Sequence, residues 1–188
     1  MDKEFIKDLA PTVVAVAAIL GAFAGARVQA RAAVTSVRRG HQRSSYAELI
    51  RVTRAYLNDT RRAAEAAGIL DEHCQPHLGP EDDEVLTTES RRRLEARITP
   101  AATDTAKLSE AVALVLLEGP KTLSAQAERV STEAEKLCWI LENAGRPTET
   151  VDGSTDWPHP DRADSARGAL DAELGKFVEM ATKFLNKD

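Results

Sequence analysis

One heptapeptide of this chain concentrates residue types that bind metals or move protons. Asp71-Glu72-His73-Cys74-Gln75-Pro76-His77 holds two His, one Cys and two carboxylates. Imidazole, thiolate and carboxylate are the donors that zinc and iron use, so His73, Cys74 and His77 are the metal candidates. A zinc site would need further soft ligands at a second spacing, and no Cys-x-x-Cys pair supplies them. A di-iron bundle would need Glu-x-x-His on facing helices, a motif the chain lacks. The expectation is therefore a solvated turn with helix-capping residues, and no metal or cofactor.

Nucleophilic and phosphate chemistry find less. Neither Gly-x-Ser-x-Gly nor Gly-x-x-x-x-Gly-Lys occurs. His41 and His159 stand alone, on a helix face and in a loop. Glu110, Glu118, Glu128, Glu133 and Glu135 read as a wetted helix face. No catalytic site can be nominated, and the chain is not expected to be an enzyme.

The elements that would position any site are helices. Tyr46, Leu49, Ile50, Thr53, Tyr56, Leu57, Thr60, Ala63, Ala64 and Ala67 recur at steps of three and four, closed by Gly68. Leu94, Ile98, Ala101, Thr105, Leu108, Val112 and Val115 keep the same rhythm through Pro100. That predicts one long helix kinked at the proline, or a break at Thr99. Glu118-Gly119-Pro120 forces a tight turn. A third stripe runs Leu123, Ala127, Val130, Ala134, Leu137, Leu141 to Asn143-Ala144-Gly145, and a fourth runs from Ala163 to Phe184. Four amphipathic stripes predict an all-α, antiparallel four-helix bundle over 46–188. Two long loops remain, Ile69–Glu84 and Arg146–Pro160. In the second, Trp157 is expected to tuck onto the bundle, with an exposed contact as the alternative.

Ahead of the bundle, residues 9–26 read LAPTVVAVAAILGAFAGA, 18 residues without a charge. At about 1.5 Å per residue they span roughly 27 Å of helix, close to the thickness of a bilayer's hydrocarbon core. A secretory signal would carry a basic start, whereas Asp2, Glu4 and Asp8 outnumber Lys3 and Lys7. After the run come Arg27, Arg31, Arg38, Arg39 and Arg43 with no acid among them. The positive-inside bias then predicts a single-pass anchor over 1–26 with its N-terminus outside. A basic stalk over 27–45 follows, and the bundle is cytoplasmic. A cleaved signal and a buried core helix are the alternatives. Within the anchor, Ala17, Gly21 and Gly25 form a small-residue face that could pack helix on helix and make a homo-oligomer, or be simple filler.

Charge divides the chain in the same way. Residues 1–26 carry −1 and 27–62 carry +7, so a total of −5 leaves −11 for 63–188. The collar of Arg31, Arg38, Arg39 and Arg43 suits anionic lipid headgroups, or else only sets topology. Nucleic acid is not an expected partner, because the acidic body would repel phosphate and no aromatics interleave with the bases. Two cysteines, Cys74 and Cys138, make no disulfide framework. Arg outnumbers Lys 17 to 8, a bias of GC-rich bacterial genomes. The expected function is a bacterial membrane-anchored bundle that acts as an interaction, scaffolding or signalling module through a protein partner. The alternative is a membrane-active, holin-like protein whose anchor oligomerises. Only Thr12 is polar between Leu9 and Ala26, which disfavours a water-filled lesion.

Overall fold

Apolar residues spaced by three and four build helices throughout the chain. The computed structural model describes the backbone of residues 3–74, 86–98, 100–149 and 155–186, with side chains for 29–30, 33–74, 86–98, 102–148 and 155–186. Among the described residues seven helices follow in order: α1 Lys3–Asp59, α2 Arg61–Glu72, α3 Thr88–Glu95, α4 Pro100–Thr103, α5 Ala106–Glu118, α6 Lys121–Glu142 and α7 Arg162–Leu185. Two-residue strands, β1 Thr148–Glu149 and β2 Thr155–Asp156, pair antiparallel before α7.

The chain divides into two compact units, Met1–His41 and Gln42–Asp188. In the first, α1 exposes Val34 and Val37 together with Arg38 and Arg39. Among the described residues no helix is long and apolar enough to cross a membrane. The anchor expectation falls on 9–26, and the side chains of that run, with Ala17, Gly21 and Gly25, lie outside the described residues, as does that of Arg31.

The second unit is a helical bundle whose neighbours run antiparallel. Tyr46 packs edge-on against Phe177 at 5.8 Å, whereas the Leu57 carbonyl accepts from Arg167, so α1 and α7 run in opposite directions. Gln126 donates to the Glu173 carbonyl and Arg162 to that of Asn143, which sets α6 against α7 in the same way. Gln42 reaches Glu118, while Arg51 and Asp59 share a groove with Asp104 and Lys107, so α5 opposes α1. The stripes of α1, α2, α5, α6 and α7 close one core around Tyr46, Leu49, Leu108, Leu137, Leu170 and Phe177.

Helix ends follow local chemistry. Gly119 and Pro120 separate α5 from α6, as the sequence requires. Gly145 sits at φ +67, a left-handed turn just after α6 that glycine adopts at least cost. Three expectations need correcting. The stretch 94–115 is not one kinked helix: a turn over 96–97 ends α3, α4 lasts a single turn from Pro100, and Asp104 Oδ1 accepts from Ala106 N to start α5. Among the described side chains of α4 the buried one is Ala102. Gly68 does not end the second helix, since α2 continues to Glu72. It is needed instead for close approach, because a Cβ there would lie 3.0 Å from the Pro160 carbonyl oxygen. Consequently Ile69–Glu84 is helical at its start. Finally, α1 and α2 are separated at Thr60, whose hydroxyl donates to the Tyr56 carbonyl at 2.8 Å, the same carbonyl that its amide meets at 2.9 Å.

Candidate functional site

The most elaborate polar arrangement of the bundle lies where α2 ends, α6 ends and α7 begins. Asp71 falls in the phase of Ala63, Ala64 and Ala67, so the helix that buries those alanines buries its carboxylate completely. Arg162, in the first turn of α7, meets it side-on with one edge of the guanidinium, Nε donating to Oδ2 at 2.7 Å and Nη2 to Oδ1 at 3.0 Å. The Gly145 amide donates to Oδ1 at 2.6 Å, and Arg162 Nη2 also donates to the Asn143 carbonyl at 2.7 Å. Arg91 of α3 donates to the Gly145 carbonyl at 3.2 Å. The carboxylate thus ties α2, the turn after α6 and the start of α7 together through charge-assisted bonds, Arg91 adds α3 through the Gly145 carbonyl, and the left-handed turn at Gly145 presents the amide that Asp71 needs.

Beside this network opens a cavity of about 320 Å3. Leu70, Ile98, Leu141 and Ala144 form its apolar part, and Arg91, Glu95, Glu142 and Arg146 its charged rim. A larger groove of about 480 Å3 separates α1 from α7, where Arg54 and Arg167 face Asp164 and Asp171. Both carry charges of both signs, so neither selects an anion or a cation by net charge.

Of the three metal candidates, His73 and Cys74 lie among the described residues. His73 exposes its ring and places Nδ1 2.9 Å from the Ile69 carbonyl, one turn back, a helix-terminal capping contact. Cys74 is half-buried, and His77 lies outside the described residues. Among the described residues no three His, Cys, Asp or Glu side chains converge on a point that could hold an ion. Burial, reinforced by Asp71 and opposed by Arg91 and Arg162, raises the Cys74 thiol above its ordinary value. Cys138 donates to the Thr103 carbonyl at 3.2 Å, and burial with the nearby Glu142 pushes its thiol up to about 11. Both therefore stay protonated near neutrality, the less nucleophilic form. Burial likewise drives the Tyr56 phenol well above its usual range.

Arg38, Arg39 and Arg43 of the collar are exposed on α1. Trp157 is not tucked away but stays 40% exposed. Sequence reasoning missed the Asp71–Arg162 pair, although an acid in the phase of an apolar stripe was the available signal. It also missed an apolar patch on α5, where Leu114 and Leu116 are 43% and 41% exposed and Leu117 82%. Those leucines lie off the inward phase of Leu108, Val112 and Val115, which was the signal there. No family model, no curated protein and no solved structure matches the chain.

Proposed function

We propose that this chain is a membrane-anchored helical-bundle protein of bacterial type, an interaction or scaffolding module rather than an enzyme. Its residues 9–26 cross the bilayer with the N-terminus outside, and its bundle works in the cytoplasm. The observation that supports this most is the charge pattern at the start of the chain: acids before an 18-residue uncharged run, then Arg27 to Arg43 with five arginines and no acid among them. Arg38, Arg39 and Arg43 are exposed and so available to headgroups. The bundle suits a scaffold, since its most elaborate polar network joins segments of the chain to one another and its off-stripe leucines face solvent.

Reporter fusions test the reading. Fused after Asp188, a fluorescent protein that folds in the cytoplasm should be bright, and alkaline phosphatase, which needs the periplasm, should be inactive. An active phosphatase fusion would reverse the topology. Capture of the full-length chain in mild detergent should yield a defined oligomer or a reproducible partner, and a lone monomer would count against the module.

A further inference from the structure

We propose that the cavity between α3 and the end of α6 binds a small zwitterion with an apolar body, the chemical class of a free apolar α-amino acid. The cavity exists because its two walls pack elsewhere: α3 lies on α2, and α4 lies on α6. Leu70 belongs to a small satellite cluster with Ala66 and Leu94, whereas Leu141 belongs to the main core. Half-buried Ile98 and Ala144 touch both clusters, and the cavity of about 320 Å3 opens where the two meet. Its size is at the small end of the roughly 300–1,000 Å3 of ligand sites, which suits a molecule of about a dozen non-hydrogen atoms.

The mouth selects the head group. Arg91 and Arg146 stand there with Glu95 and Glu142, two charges of each sign, so a lone carboxylate or ammonium is drawn by one sign and opposed by the other. A molecule that carries both charges gains from both. Arg146 and Glu142 are the pair on offer: among the described residues neither has an ion-pair partner, and they do not meet each other although both line the cavity. The thiol of Cys138, near Glu142, is protonated at neutrality and adds no charge. Arg91 and Glu95 do meet, at 3.4 Å, but both are more exposed than buried, a weak pair. The mouth is also held in place. Gly145 gives its amide to Asp71 and accepts from Arg91 at its carbonyl, and Arg146 is the next residue. The buried network therefore fixes the backbone that carries one arginine and the side chain of the other, and a site already in its bound shape loses less on binding. The groove between α1 and α7 has the same mix of charges, but Leu57 alone among its described lining side chains is apolar, so it has no place for the body. Nothing in this inference depends on the anchor.

The test is equilibrium dialysis of the full-length chain, in mild detergent, against radiolabelled L-leucine and L-phenylalanine in turn. At least one of them should bind saturably, one per chain. Its analogue without the amine and its analogue without the carboxylate should each compete about tenfold more weakly or worse, as loss of one charge-assisted contact implies. Arg146→Gln should weaken binding about tenfold at an unchanged melting temperature, because that side chain is exposed. Ala144→Leu, which puts bulk into the cavity, should abolish binding, and Arg146→Gln still decides the matter if that variant fails to fold. Arg54→Gln, in the other groove, should change nothing. No saturable binding of either amino acid, equal binding of an analogue with a single charge, binding that survives Arg146→Gln, or binding lost in Arg54→Gln would each overturn the site.

Discussion

At one end of the bundle a fully buried carboxylate is met by a bidentate guanidinium and a backbone amide; at the other, leucines of a single helix stand in solvent. The first end resolves its polar groups inside the fold, which makes the segments it joins depend on one another. The second leaves apolar area outside, where its value appears only when something covers it. The contrast separates residues that hold the bundle together from residues free to serve an external surface.

The largest effect should come from breaking the first end. Arg162→Ala strands Asp71, a buried charge without its partner, and should lower stability by about 3–5 kcal/mol. For a domain of this size that is a fall in Tm of about 10 °C, read by thermal denaturation. A loss below about 1 kcal/mol would mean the network is incidental. Gly145→Ala should come next. Its φ of +67 disfavours a side chain, and the new Cβ would lie 3.1 Å from that of Leu70. About 2 kcal/mol should be lost, seen as a lower denaturant midpoint at unchanged slope.

A smaller effect should follow pH. The Cys138 thiol is raised to about 11 from the 9.0 expected for an unfolded chain. Its contribution is fully present below pH 9 and is lost as pH rises through 11. Stability should therefore fall over pH 9–11 in the parent and more gently in Cys138→Ala, and parallel curves would remove the thiol from the account. The smallest effect belongs to the second end. Leu117→Gln should change bundle stability by less than about 0.5 kcal/mol, because the side chain is already in water. A large loss there would show that Leu117 belongs to the core and would erase the contrast between the ends.

Much of this architecture is legible from spacing. The inward faces of α5, α6 and α7 follow the three-four rhythm residue by residue, and the turn at Gly119-Pro120 follows from a residue without an amide hydrogen. Between Leu94 and Leu108 the sequence offers a kink at Pro100 or a break at Thr99, but not the second break before Ala106, since periodicity reports only which side of an axis a residue faces. Asp71 is half legible, because its place in the phase of an apolar stripe marks it for burial but not its partner. Arg162, which meets it, lies 91 residues away, and no local pattern encodes that meeting. Clustering along the chain says nothing about direction either: the ring of His73 turns back to cap its own helix.

The anchor and its orientation are the claim on which the functional account depends, and protease treatment of intact spheroplasts expressing the full-length chain tests it most directly. The chain should sediment with membranes after a carbonate wash, lose no more than its few N-terminal residues to external protease, and have its bundle digested only once the cells are lysed. Release by carbonate, or digestion of the bundle in intact spheroplasts, would contradict it.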